Sequence, residues 1–172
     1  MNDSQTRWDL FFLDMVETVS KKSKDPSTKV GAVVVGPDHE VRSIGFNGFP
    51  RGVDDTELRY NDRDVKYMWV VHAEQNCVFN SSRSGIPLKG CTMYLDWHPC
   101  NECAKAIIQA GITRLVISGD KYDARKEDLL SRWGKAIEVA EEMLWEAGVI
   151  TDYVYEDGRI ISTSVMDHKP RI

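Results

Sequence analysis

The apolar positions change period several times along the chain, and each change marks an element. Trp8, Phe11, Phe12, Met15, Val16 and Val19 recur at helical steps, so residues 8–22 read as an amphipathic helix with these six on its buried face. Pro26 and its polar neighbours from Lys24 to Thr28 end it. From Val30 to Val35 the run is apolar throughout and rich in Val, the mark of a strand covered on both faces. Gly36-Pro37-Asp38 turns the chain, and 41–44 returns as the antiparallel partner. Residues 47–66 hold turn formers and charges without a period, which predicts a long loop of the functional kind. Helical spacing resumes from Met68 to Asn80. A strand follows at 91–95, a short helix at 101–110 closed by Gly111, and a strand at 115–118. A long amphipathic helix then spans 128–147, with Leu129, Leu130, Trp133, Ile137, Ala140, Met143 and Leu144 on its apolar side. Strands at 149–155 and 159–162 flank the turn Glu156-Asp157-Gly158. Strands alternating with helices in the later half predict parallel pairing in a layered α/β domain.

The length, 172 residues, suits a single domain over 1–172, and no repeat or linker divides it. Residues 163–172 carry no clear pattern and are expected to form a mobile tail. Lys plus Arg number 22 and Asp plus Glu 27, a net charge of −5. That balance argues against a broad basic footprint for a nucleic-acid backbone, but leaves room for a local pocket for a small phosphate. No apolar run approaches the ~20 residues a membrane span needs, and the first ten residues contain no leader-like apolar segment. A reducing cytoplasm is the expected setting, where four cysteines serve as ligands or core residues more readily than as disulfides.

Two short segments carry the chemistry. His72-Ala73-Glu74 lies in the helical stretch after Met68, and Pro99-Cys100-Asn101-Glu102-Cys103 lies between a strand and a helix. Cys-x-x-Cys at a helix start brings two sulfurs together where backbone N–H groups favour thiolates. One imidazole and two thiolates make a three-ligand set suited to Zn²⁺, with the fourth position open as in catalytic sites. A metal there lowers the pKa of a bound water from 15.7 toward ~7. Glu74 is the candidate to take the proton, yet an offset of two residues turns it about 200° from His72 in mid-helix. The two converge only if His72 stands near a helix N-terminus, which is where we place it. A structural zinc site or a redox pair would explain Cys-x-x-Cys alone. A closed site needs a fourth ligand, and the spare Cys77 and Cys91 sit in apolar patterns typical of core.

His-x-Glu followed by Pro-Cys-x-x-Cys is the signature of the zinc nucleobase deaminases. The chain resembles the zinc-dependent cytidine/deoxycytidylate deaminase family, and within it the dCMP branch. The resemblance covers about residues 8–155 through DPSTKVGAVVV at 25–35, GFNGFPRG at 45–52, VVHAEQN at 70–76, HPCNECAKAIIQAGI at 98–112 and DKYDA at 120–124. It implies a three-layer α/β fold with a mixed sheet of about five strands. It implies zinc on His72, Cys100 and Cys103, with Glu74 as the catalytic proton shuttle. It also implies a substrate-binding set of Lys24, Ser27, Asn47, Ala73 and Tyr122, with Asn47 on the sugar 3′-hydroxyl and Tyr122 near the sugar and phosphate. Asn47 in Asn-Gly could instead be a left-handed turn residue, and Lys24 a solvated charge.

The implied reaction is hydrolytic deamination of dCMP to dUMP and ammonia, supplying thymidylate synthesis. Activation by dCTP with Mg²⁺, inhibition by dTTP and a homohexamer are implied too, with Asn47, Gly48, Arg51 and Arg83 as allosteric candidates beside Arg59 and Arg63. Some phage members of the family hold a second, structural zinc through His and Cys in the loop before His-Ala-Glu. Residues 48–71 here contain neither, so one zinc per chain is expected. Two other classes remain: a nucleic-acid cytosine deaminase, which needs a cationic groove with stacking aromatics, and a non-catalytic zinc or nucleotide-binding module, which has no need of Glu74.

Overall fold

The strands alternate their side chains between two apolar cores, and that alternation sets the layering. The computed structural model describes residues 3–163. In chain order the elements are α1 (Asp3–Ser20), β1 (Gly31–Val35), β2 (Val41–Phe46), α2 (Glu57–Asn61), α3 (Arg63–Trp69) and α4 (Ala73–Ser84). They continue with β3 (Thr92–Leu95), α5 (Asn101–Gln109), β4 (Arg114–Ser118), α6 (Gly119–Glu146), β5 (Ile150–Val154) and β6 (Ile160–Thr163). The sheet order is β2-β1-β3-β4-β5-β6. β1 is antiparallel to β2 and β3, the β3-β4-β5 run is parallel, and β6 returns antiparallel on β5. The sheet is mixed as expected, with six strands rather than about five.

Ala32, Val34, Met93, Leu95, Leu115 and Ile117 face one core with α4, α5 and α6. Val33, Val35, Tyr94, Val116 and Val154 face the other, under α1. A period of two in strands buried on both faces gives three layers, helix on sheet on helices.

Four expectations change. The buried stripe of α1 is Phe12, Leu13, Val16 and Val19, whereas Trp8 and Phe11 are 38% and 52% exposed. Trp8 instead stacks on His39 at 4.4 Å. The expected loop at 47–66 contains α2 and the start of α3. Five- and seven-residue helices are too short to display a period. The helix expected from Met68 is two helices, parted where Val71 pairs with Gly48 in an isolated bridge. Finally, α6 begins at Gly119 rather than Asp128, capped by Ser118, so DKYDA forms its first turns. Residues 164–172, most of the expected tail, lie outside the described residues; Thr163 closes β6.

Two features hold the site's supports. A Cβ at Gly45 would collide with the Ala73 carbonyl and the Cys77 nitrogen, so only glycine lets β2 and α4 approach this closely. On the opposite face, Arg114 of β4 grips the fully buried Asp9 of α1 through two bonds of 2.9 and 2.8 Å, and donates to Asp152 of β5 at 2.7 Å. The Tyr94 hydroxyl donates to Asp9 at 2.9 Å. Arg114→Ala leaves two buried carboxylates without their cation. We expect a loss of about 3–5 kcal/mol, read as a lower urea midpoint with the m-value unchanged.

Candidate functional site

Two helices begin at the same point. His72 is the N-cap of α4 and Cys100 the N-cap of α5, both with extended backbone. Cys103 follows within the first turn of α5. The His72 Nδ1 lies 3.5 Å from Cys100 Sγ and 3.4 Å from Cys103 Sγ. Bond lengths of ~2.3 Å to sulfur and ~2.1 Å to nitrogen at a tetrahedral angle put S and N about 3.6 Å apart, so this donor set fits a zinc ion. Among the described residues it is the one His/Cys/Asp/Glu group with ligand atoms this close.

The donors already share protons unevenly. Cys100 is pushed down to about 4, first by the hydrogen bond from Cys103 and then, against burial, by His72. His72 is raised to about 9 by its hydrogen bond to Cys100, with burial opposing. Cys103 is raised well above the ordinary thiol value, because it is the donor to Cys100 and because it is buried. A dication entering this group displaces the remaining protons.

Glu74 is the second residue of α4 and is only 5% exposed. Burial raises its carboxyl pKa, which suits a group that must both take and return a proton. His98 is buried, and burial lowers it to about 4. Its neutral ring donates from Nδ1 to the Pro99 carbonyl at 3.0 Å, bracing the loop before Cys100.

His72, Glu74, His98 and Cys100 form the floor of a cavity, and the fully buried Cys103 is not part of its lining. Its walls include Asp25, Thr28, Asn47, Lys66, Tyr67, Trp97 and, from α6, Arg125, Asp128, Leu129, Arg132, Trp133 and Ile137. Trp133 stands edge-on to His72 at 6.0 Å and to Tyr67 at 5.3 Å. Beside the floor, Lys66 is buried against Asp25 at 3.1 Å and donates to Ser27 Oγ at 2.9 Å. Burial alone would raise the Asp25 carboxyl, but donors from Ser27, Thr28 and Lys66 prevail and hold it low.

The structure brings His72, Ala73, Glu74, Cys100, Cys103 and Asn47 together. Asn47 is buried, not a left-handed turn residue: among the described non-glycine residues only His39 has positive φ. Its Oδ1 accepts from Val30 N at 2.8 Å and its Nδ2 donates to the Thr28 carbonyl at 2.9 Å, clamping the 25–30 loop to the end of β2. Three others lie outside the cavity lining. Lys24 is exposed and paired with Asp55 at 2.7 Å. Ser27 is held by Asp25 and Lys66 and does not line the cavity. Tyr122 is buried against Tyr153, because the early start of α6 turns it into the core. Of the arginines, Arg51 donates to Asn80 at 2.6 Å, one turn before Arg83 on α4. Arg59 lies over Trp69 and Arg63 over Tyr67. Sequence reading missed Lys66, Arg125 and Arg132. With the helix begun at 128, Arg125 fell outside its stripe, though 125, 129 and 133 follow at steps of four.

Residues 6–119 match the cytidine and deoxycytidylate deaminase zinc-binding region. An uncharacterized deaminase of Aliivibrio fischeri is 40% identical over 144 residues, covering 84% of this chain and 91% of its own. Deoxycytidylate deaminase of Mus musculus is 39% identical over 135 residues, 76% of this chain and 75% of its own. Among solved structures, dCMP deaminase from the cyanophage S-TIM5 aligns with a TM-score of 0.57 at 25% identity, over 74% of this chain and 94% of that one. The same phage enzyme has been solved in complex with dCMP and dUMP.

The donor geometry leads to a metal-content test. The purified chain should carry one zinc equivalent, lost in Cys100→Ser and in Cys103→Ser. Two equivalents by elemental analysis, or full retention in either variant, would contradict the assignment.

Proposed function

This chain belongs to the cytidine and deoxycytidylate deaminase family, and from that premise we propose that it hydrolyses dCMP to dUMP and ammonia, supplying dUMP for thymidylate synthesis. One observation carries the reading: His72, Cys100 and Cys103 converge beside a buried Glu74, at a cavity lined by both polar and aromatic side chains. Zinc on those three ligands supplies, when bound, the Lewis acidity that makes water a nucleophile at neutral pH. Glu74 takes one proton of the attacking water and gives it to the ring nitrogen, then takes the second from the new C4 hydroxyl and gives it to the amine leaving C4. The C4–N bond breaks, a C4 carbonyl forms, and ammonia departs. Ala73 offers one of the N–H groups that α4 leaves unbonded at its start, available to the base. Asn47 keeps an Oδ1 lone pair for the sugar hydroxyl while it holds the loop. Trp133 and Tyr67 wall off bulk water from the reacting end. The proposed setting is the cytoplasm; among the described residues no helix is long and apolar enough to cross a membrane.

Regulation is proposed along α4: Arg51 and Arg83 toward its far end, with Asn47 and Gly48 beside its start, would receive dCTP with Mg²⁺ as activator or dTTP as inhibitor, in a homohexamer. Arg suits triphosphate oxygens because its planar fork binds them in pairs. The contact of Arg51 with Asn80, one turn from Arg83, supports this placement.

Ammonia release from dCMP, deoxycytidine, CMP, dCTP and a cytosine-bearing single strand, measured side by side, tests the catalytic reading. We expect dCMP to lead. Glu74→Gln should lose at least ~10²-fold in kcat while keeping its zinc; an active variant sinks the proton-shuttle role. For regulation, sigmoidal dCMP kinetics should become hyperbolic with dCTP and Mg²⁺, with dTTP opposing. A hyperbolic curve indifferent to both triphosphates counts against that part alone.

A further inference from the structure

α6 turns one continuous stripe toward the cavity. Arg125, Asp128, Leu129, Arg132, Trp133 and Ile137 all line it, and steps of three and four place them on one helical face. The stripe changes character across its width. Leu129 and Ile137 are buried, and Trp133 faces His72. Arg125, Asp128 and Arg132 form the outer edge, with side chains 36%, 37% and 43% exposed.

Charges along this wall do not cancel. Lys66, the other cation on the cavity, is already matched by buried Asp25. Arg125 and Arg132 both reach the one carboxylate of Asp128, at 3.3 and 2.5 Å. Two guanidiniums on one carboxylate leave one positive charge over. The Arg125 guanidinium also lies over the Trp97 ring at 4.7 Å, which holds it at the cavity wall. Seven residues separate the arginines, about 10.5 Å of helix rise. The Asp128 carboxylate between them shows that both forks can meet on one anionic group. Lys24 and Tyr122, which the resemblance offers near a phosphate, do not line the cavity.

We propose that Arg125 and Arg132 are the anion subsite of this cavity, taking the 5′-phosphate of the nucleotide and setting the preference for a phosphorylated over a bare nucleoside. The inference rests on reading the cavity as a nucleotide deaminase site. The base end is fixed by His72 and Glu74, and the phosphate sits at the rim, where it can share the two forks with Asp128 and stay partly hydrated. Charge-assisted, paired N–H contacts of this kind are the strong class of hydrogen bond.

The test uses zinc-loaded protein and calorimetric binding of dUMP and deoxyuridine, which differ only in the phosphate. Wild type should bind dUMP at least about tenfold more tightly. Arg125→Gln and Arg132→Gln should each shrink that ratio at least about threefold, and the ratio of kcat/KM for dCMP over deoxycytidine should fall in parallel. Arg132→Lys should restore part of it, since the charge returns without the fork. Lys135→Gln, which removes a charge from the exposed side of the same helix, is the control and should leave the ratio in place. Zinc content and the urea midpoint confirm that each variant is folded. A ratio unchanged in both glutamine variants overturns the proposal, as does equal weakening of both ligands or no preference in wild type. Tighter binding of a single-cytosine oligonucleotide than of dUMP overturns it too. If wild type releases no ammonia from dCMP, the substrate reading fails, while the dUMP-to-deoxyuridine ratio still decides the role of the arginines.

Discussion

The site depends on two helix starts being aimed at one point. Each α-helix leaves its first N–H groups unbonded and partly positive, so the ends of α4 and α5 favour thiolate at Cys100. That meeting requires α4 to begin at His72 and no earlier. The pairing of Val71 with Gly48 enforces the break, because residues bridged in an extended conformation cannot continue α3. Gly45 then lets α4 settle against β2, and the parallel β3-β4 pair delivers the Cys100 loop at the carboxyl end of the sheet. Ligand geometry is thus a consequence of backbone packing. The side chains need only ordinary lengths to reach one another.

Local signals were enough to read most of the fold. The Val-rich run at 31–35, the strand-helix alternation after Thr92 and the glycine stop at 111 each act within a few residues. What failed depends on distant partners. Trp8 and Phe11 carry the right period for burial, but the helix rotates to place Asp9 beside Arg114, over a hundred positions away. The start of α6 escaped notice because its first nine residues are mostly polar, and a helix that lines a cavity has no reason to be apolar there.

The convergence of His72, Cys100 and Cys103 beside Glu74 was readable from the spacing alone: an offset of two brings His72 and Glu74 to one point only at a helix start. The cavity walls were less so. Asn47 is defined by three simultaneous partners from a different loop, and Lys66 by a buried carboxylate 41 residues earlier. Tyr122 shows the converse. A motif position resembling that of relatives does not fix a side chain's direction once the helix carrying it is packed against Tyr153.

The contact between Asp9 and Arg114 spans 105 residues, and it bears on how the chain acquires its shape. α1 leaves the ribosome before β4, yet its buried Asp9 has no cation to meet until β4 has been made, and its apolar face has no finished sheet to cover. Loop-closure entropy makes so distant a contact slow to form. This helix is therefore among the last to dock, and the Val33, Tyr94 and Val116 face of the sheet stays open to water, and to other chains, until it does.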